Sequence, residues 1–221
     1  MAELITGLSA DAVRANVERV QSEIADAAAR AGRSADAVQL LAAVKYVALE
    51  ELPVLAEAGI TLAGENRAQE LVRKVEAPGG DALTWDFIGH LQSRKVKQVL
   101  PLVRYVHSVA SDSVLRQLER HATPETEVLV EVNVAGEADK SGVAPGRLDD
   151  VIARCPARVV GLMTMPPLAA DPEDSRRWFA ALAELAGERG LRHLSMGTSQ
   201  DYLVAVQEGA TIVRLGTTLY A

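Results

Sequence analysis

The sequence contains a single cysteine, Cys155, so no disulfide can form within the chain. It also lacks the basic start and apolar core of a signal peptide, and no apolar run approaches the ~18 residues that span a bilayer. Basic residues are few for a duplex-binding protein, because 23 lysines and arginines stand against 30 acidic residues. These absences predict a cytoplasmic domain without nucleic-acid or membrane partners, and a reducing compartment fits the lone thiol.

The composition that remains is that of a globular domain. The 221 residues are 48% hydrophobic and 24% charged, which suffices for one large domain. Near the start, apolar residues recur at steps of three and four, which predicts a helix between a Ser9 cap and Gly32. The predicted buried face of this helix comprises Val13, Val17, Val20, Ile24, Ala27 and Ala31.

Beyond this helix, short apolar runs alternate with helical stretches, which indicates a parallel sheet covered by helices. The predicted strands are 38–44, 60–63, 85–88, 105–109, 128–134, 159–165, 191–196 and 211–215. The predicted helices are 49–58, 68–75, 93–100, 113–121, 147–153, 172–188 and 201–208. Eight strands predict a (β/α)8 barrel of the TIM type with an extra N-terminal helix. An open doubly wound sheet is the alternative, but no glycine-rich loop follows the first strand. No linker interrupts the chain, so we interpret residues 1–221 as a single domain.

Lys45 is the strongest candidate for a functional residue, because it directly follows the apolar first strand. The active site of such a barrel lies at the C-terminal strand ends. An amine there is expected to be partly desolvated, which lowers its pKa and frees it to form a Schiff base with an aldehyde. The alternative is an ordinary surface lysine.

Arg214 lies inside the last apolar run, where a guanidinium needs a partner. A structural ion pair with Glu65, Glu131 or another acid is the alternative to a functional role. Two loops near it combine small residues with hydroxyls. They are 195–199, after the seventh strand, and 216–218, after the eighth, where barrels often bind phosphate.

Other polar residues carry weaker signals. Glu131 and Asn133 share one face of the fifth strand, which predicts that they lie inside the barrel, opposite outward-facing valines. The histidines have no metal-ligand spacing, and His107 and His193 can be satisfied core residues.

An aldehyde-reactive lysine, an anion cradle and a strand arginine together suggest a bound aldehyde phosphate. The chain resembles the pyridoxal-phosphate homeostasis proteins, which share their barrel with the N-terminal domain of alanine racemase. The resemblance extends over most of the chain. Its motifs are 41–45 (LAAVK), 64–70 (GENRAQE), 85–95 (WDFIGHLQSRK), 132–133 (VN) with 140–142 (KSG), 161–165 (GLMTM), 195–197 (SMG) and 213–217 (VRLGT).

The resemblance implies that Lys45 carries pyridoxal 5′-phosphate (PLP) as an internal aldimine. It further implies that Arg214 faces the pyridine nitrogen, which an always-protonated arginine would keep unprotonated. Lys140 matches a family lysine with a proposed part in accepting or releasing the cofactor. The implied phosphate ligands are Ser195, Ser199, Gly216 and Thr217, and the implied pocket-lining residues are Asn66 and Met163.

The chain departs from the family pattern around these residues. Val44 replaces a usual serine or threonine, Tyr46 replaces a threonine, and Ala48 replaces a proline. Thr198 stands where methionine is common. These changes leave the Schiff-base and phosphate roles intact but alter the expected hydrogen bonding near Lys45.

The resemblance favours a protein that holds PLP and passes it to apo-enzymes without catalytic turnover. A PLP-dependent racemase is the first alternative, but it needs bases on both faces of the substrate carbon. Tyr46 and Tyr202 are candidates for the second base, and the chain ends four residues past Thr217, without the second domain of alanine racemase. The other alternative is a cofactor-free Schiff-base lyase that uses Lys45. The missing domain favours a monomer.

Overall fold

Eight parallel strands form a closed barrel in chain order, and β8 pairs with β1 to complete it. This computed structural model describes residues 3–138 and 140–221. The strands are β1 (Gln39–Ala43), β2 (Leu62–Glu65), β3 (Thr84–Phe87), β4 (Tyr105–Val109), β5 (Glu127–Glu131), β6 (Arg158–Met163), β7 (His193–Ser195) and β8 (Ile212–Leu215). The predicted TIM barrel is confirmed, and each predicted strand overlaps an observed one.

The α-helices are α1 (Ala10–Arg30), α2 (Leu52–Glu57), α3 (Ala68–Glu76), α4 (Val96–Val99), α5 (Asp112–His121), α6 (Leu148–Arg154), α7 (Arg176–Gly187), α8 (Tyr202–Gln207) and α9 (Thr217–Tyr220). Helices α2 to α8 each connect two successive strands, whereas α1 precedes β1 and α9 follows β8. Predicted helices begin with 3-10 turns at Leu49–Glu51 before α2, Ser93–Lys95 before α4, Pro145–Arg147 before α6 and Pro172–Ser175 before α7. Within the described ranges, no helix has the length and apolarity needed to cross a membrane.

The N-terminal helix α1 packs against α8 and α9 on the outside of the barrel. The side chain of Ser9 caps it by accepting a hydrogen bond from the Ala12 amide. The predicted buried face is correct except at its end, where Ala31 is exposed and Ala28 is buried instead. Ala31 departs from the prediction because the helix ends at Arg30, so Ala31 no longer follows the helical periodicity.

The core has two layers. The larger one lies between the strands and the helices, and it contains Val128 and Val130 of β5. The smaller one fills the barrel interior and consists of Leu41, Leu62, Tyr105, Leu129, Met163 and Ile212. Because side chains alternate along a strand, this division turns the β5 valines outward and places Leu129 and Glu131 inside, as the sequence predicts.

Candidate functional site at the C-terminal end of the barrel

Lys45 follows the end of β1 by two residues, and its side chain is exposed. Its Nζ atom lies 4.8 Å from the centroid of the Tyr46 ring, a cation–π contact at the surface. The sequence-based expectation of a partly desolvated amine is therefore wrong for this structure. β1 stops at Ala43, so the side chain of Lys45 extends past the apolar interior of the barrel.

The backbone beneath Lys45 is held by a buried ion pair that the sequence analysis missed. Nζ of Lys74, in α3, donates to the carbonyl of Val44 and lies 2.6 Å from Oε2 of Glu65. Oε1 of Glu65 accepts the amides of Asn66 and Arg67 at 2.7 and 3.0 Å. The available signal was the position of Lys74 three residues after Leu71, on the buried stripe of α3.

Arg214 is buried in β8, as expected, but it has no carboxylate within ion-pair distance among the residues that the structure describes. Its Nη1 donates to Oγ of Ser195 at 2.5 Å, and its Nη2 donates to the Thr164 carbonyl at 3.0 Å. The proposed ion pairs with Glu65 and Glu131 are absent, because Glu65 pairs with Lys74 and Glu131 accepts from Ser141. Burial lowers the pKa of the Arg214 guanidinium to about 10.

The two small-residue loops after β7 and β8 meet at one point. Oγ of Ser199 accepts a hydrogen bond from the Gly216 amide at 3.3 Å. β8 runs beside β1, with Ala42 opposite Leu215, so Gly216 and Thr217 follow the same barrel edge as Lys45. Ser199 is not the cap of α8, which begins at Tyr202. The fold thus brings Lys45, Ser199, Gly216 and Thr217 to one sector of the barrel rim.

Ser195 differs from these loop residues because its side chain is fully buried. Its Oγ lies 2.8 Å from Nδ1 of His107 in addition to its contact with Arg214. The hydroxyl is therefore engaged in the barrel interior, below the rim.

Asn66 and Met163 occupy different depths of the same end. Asn66 follows β2, and its Oδ1 is buried without a hydrogen-bond partner. Gly89 permits this arrangement, because a Cβ there would lie 2.0 Å from the Asn66 carbonyl oxygen. Met163 belongs to the interior cluster, below the rim. A buried oxygen without a hydrogen-bond partner is uncommon, and a bound ligand is one way to satisfy it.

The loop after β5 brings a second lysine to a cavity that the loop after β7 also lines, through Gly197, Thr198 and Gln200. Lys140 pairs with Glu137 at 2.6 Å and lines a cavity whose wall also includes Met165, Leu168 and Arg214. Lys45 lines a different cavity, which it shares with Lys74. Asn133 shapes this loop by exchanging hydrogen bonds with Glu137, so it supports the chain rather than pairing with Glu131.

The two tyrosine candidates for a second base each contact another side chain. The hydroxyl of Tyr202 donates to Glu23 of α1, and burial raises the pKa of this phenol. Tyr46 is adjacent to Lys45, so it lies at the same strand end. Within residues 3–138 and 140–221, no three His, Cys, Asp or Glu side chains are close enough to hold a metal ion.

Known proteins resemble this chain in sequence over most of its length. Residues 8–221 match the family model of the alanine racemase N-terminal domain. A pyridoxal phosphate homeostasis protein of Aquifex aeolicus is 41% identical over 217 residues, covering 92% of this chain and 95% of the relative. The protein of the same name in Escherichia coli K12 is 32% identical over 222 residues, covering 93% of this chain and 94% of the relative.

Solved structures extend the comparison. A protein of unknown function from Bifidobacterium adolescentis has a TM-score of 0.87 at 31% identity, covering 99% of this chain and 98% of the other. PipY of Synechococcus elongatus, solved with PLP bound, has a TM-score of 0.72 at 31% identity, covering 84% and 93%. Alanine racemase of Corynebacterium glutamicum, at 21% identity, shares the fold, with a TM-score of 0.67 over all of this chain and 63% of its own. The chain therefore belongs to the alanine racemase N-terminal domain family, together with the pyridoxal phosphate homeostasis proteins.

Proposed function

We propose that this protein binds PLP covalently as a Schiff base on Lys45 and serves PLP homeostasis by holding and delivering the cofactor without catalytic turnover. One observation carries this proposal. The barrel rim joins an exposed amine, Lys45, to an adjacent loop pair in which Ser199 contacts Gly216. Relatives named for PLP homeostasis, at up to 41% identity, support the same conclusion.

The residues present suit a phosphorylated pyridine aldehyde. Arg214 has only donors, so it fits an unprotonated ring nitrogen that can accept. The free Oδ1 of Asn66 is an unused acceptor at the same end of the barrel. We assign the phosphate to Ser199, Gly216 and Thr217. Since the Ser195 hydroxyl is engaged by Arg214 and His107, we assign Ser195 to holding Arg214 instead.

The chemistry at Lys45 is reversible, which suits a carrier. Lys45 would hold the cofactor through a C=N bond, whose formation from the amine and the aldehyde releases one water. Hydrolysis of that bond would return the free aldehyde and the amine. Bound PLP supplies electrophilic stabilisation to enzymes that use it, and the chain's own contribution here is binding and release. An exposed Lys45 leaves the amine accessible for both directions.

We base the proposed absence of turnover on the contacts of the two tyrosine candidates for a second base. A racemase needs proton donors and acceptors on opposite faces of the substrate carbon. Tyr202 is bound to Glu23, and Tyr46 lies beside Lys45. We therefore propose that purified protein does not racemise alanine, and that apo PLP-dependent enzymes in the cytoplasm receive its cofactor from a single-domain monomer.

The test is the near-visible absorbance of purified protein mixed with PLP, followed by borohydride reduction and peptide mass mapping. We expect a yellow band and a phosphopyridoxyl mass on Lys45. Lys45→Ala should remove both while the far-ultraviolet circular dichroism stays unchanged, and Lys140→Ala is the matched control that keeps the label on Lys45. Labelling scattered over surface lysines, or a normal band in Lys45→Ala, contradicts the Schiff-base assignment.

A further inference from the structure

A chain of buried hydrogen bonds continues from Arg214 to the far end of the barrel. Ser195 links Arg214 to Nδ1 of His107 in β4. Nε2 of His107 lies 3.1 Å from Oδ2 of Asp86 in β3. Asp86 in turn receives Nε and Nη2 of Arg104, at 3.0 and 2.6 Å. Neither Asp86 nor Arg104 has a part in the function proposed above.

Donor and acceptor chemistry gives this chain one direction. Arg214 can only donate, so the Ser195 oxygen accepts from it. A neutral His107 carries one ring proton, and only Nε2–H can serve the Asp86 carboxylate, which has no proton to give. Nδ1 is then an acceptor, so the Ser195 hydroxyl donates to it. With a neutral imidazole no other arrangement preserves all three bonds, whereas an imidazolium would donate to both Ser195 and Asp86.

We propose that His107 is a positioning residue that, anchored by Asp86 and Arg104, orients Ser195 so that Arg214 is held toward the ring nitrogen of the bound cofactor. This inference rests on the proposed function, because it assigns Arg214 to PLP. It adds that residues toward the opposite end of the barrel, which do not themselves contact the cofactor, set the orientation of Arg214.

Burial and charge support this assignment. Asp86, His107 and Ser195 are each fully buried, so water does not compete for their hydrogen bonds. Burial lowers the pKa of His107 against the opposing effect of Asp86, which keeps the imidazole neutral. Burial raises the pKa of Asp86, but hydrogen bonds from His107 and Arg104 outweigh it and lower the pKa overall, which keeps the carboxylate charged.

The first test needs no cofactor. Two-bond proton–nitrogen NMR correlations of the ligand-free protein at pH 7 report the tautomer of each histidine, and the signals missing in His107→Gln identify those of His107. We expect a neutral imidazole protonated at Nε2. A proton on Nδ1, or an imidazolium, overturns the proposed direction of the chain.

The second test measures the Kd for PLP. In His107→Gln the side-chain amide can replace Nε2 opposite Asp86 but leaves Ser195 without its acceptor, so the fold keeps a partner for the buried carboxylate. We expect this variant and Ser195→Ala to bind PLP about ten-fold more weakly. His193→Gln replaces a half-buried histidine that is not part of this hydrogen-bond series. Its Kd for PLP should stay within about two-fold of that of the original protein.

A double-mutant cycle separates positioning from general damage. If His107 acts through Arg214, adding His107→Gln to Arg214→Gln should weaken binding no further. Equal, additive losses in the two backgrounds overturn the positioning role, as does an unchanged Kd in His107→Gln. If the original protein fails to bind PLP, the proposed function falls and the role of His107 toward the cofactor falls with it. If only the positioning role of His107 is wrong, the result is distinguishable, because the original protein then still binds PLP.

Discussion

The two cations of the site, Lys45 and Arg214, are supported in opposite ways. Lys45 is exposed, and the structure fixes its backbone, through the pair of Lys74 and Glu65 beneath Val44. Arg214 is buried, and the structure fixes its guanidinium, through Ser195 and the Thr164 carbonyl. The difference matches the proposed roles, since a residue that forms and breaks a covalent bond needs a free side chain, whereas one that orients a ring needs a fixed one.

The largest expected effect comes from breaking the support of the Lys45 backbone. Glu65→Gln keeps an acceptor for the Asn66 amide but leaves the buried Lys74 ammonium uncompensated. We expect the free energy of unfolding to fall by about 3–5 kcal/mol, measured by urea denaturation.

The control for this loss lies on the same helix. Glu70 and Arg73 of α3 form an exposed pair at 3.1 Å, so Glu70→Gln should cost no more than about 0.5 kcal/mol. Similar losses in Glu65→Gln and Glu70→Gln would show that burial of the Lys74 pair is not what fixes the end of β1.

The next prediction concerns the residues that support Arg214, through the pH dependence of the free energy of unfolding. Burial holds the pKa of His107 and of His193 below the ordinary 6.5, while Asp86, Arg104 and Arg214 are the charged groups acting on His107. Below pH 6.5 the unfolded chain takes up protons that the folded chain does not, so stability present above that pH is lost as the pH falls. For His107 the slope approaches about 1.4 kcal/mol per pH unit.

Denaturation between pH 7.5 and 5, in steps of about half a unit, measures this slope. His107→Gln should reduce it, whereas replacement of the exposed His90 by glutamine provides the matched histidine control. A slope that is the same in His107→Gln as in the original protein would mean that folding does not lower the pKa of His107.

A smaller effect is expected from the N-terminal strap, residues 4–8, which holds the loop after Lys45. Ile5 pairs with Val47, and the buried carboxylate of Glu51 accepts the amides of Gly7 and Leu8 at 2.5 and 3.0 Å. Glu51→Ala should cost about 1–2 kcal/mol and speed hydrogen exchange at those two amides. The neighbouring exposed Glu50 supplies the control, since Glu50→Ala removes a carboxylate without these bonds; equal exchange in both variants would contradict the strap.

The fold could be predicted well because apolar residues recur in the sequence with the periods of helices and strands. The steps of three and four in α1 and the alternation in β5 depend on local geometry, and both survive in the structure. Errors occur where an element ends, as at Ala31, because end positions depend on capping and on the following turn.

The site was predictable only in part. Lys45, Arg214 and the loops at Ser199 and Gly216 could be placed at one barrel end, because parallel strands share their direction. The residues that contact them could not be predicted, because Lys74 and Asp86 lie far from Lys45 and Arg214 along the chain. Glu65 and Arg214 have opposite charges and face one end, yet the structure pairs Glu65 with Lys74, and sequence distance does not decide such a choice.

The smallest expected effect concerns Tyr46, a departure from the family pattern, whose ring contacts the ammonium group of Lys45. To react, the amine must leave that ring, so the contact opposes PLP binding by the strength of an exposed cation–π interaction, about 0.5–1 kcal/mol. Tyr46→Leu should therefore bind PLP about two- to five-fold more tightly. Tyr46→Phe keeps the ring and should match the original protein in an absorbance titration. If the two variants change the Kd equally, the phenol hydroxyl rather than the ring restrains Lys45, and the exposed amine is then less free than its surroundings indicate.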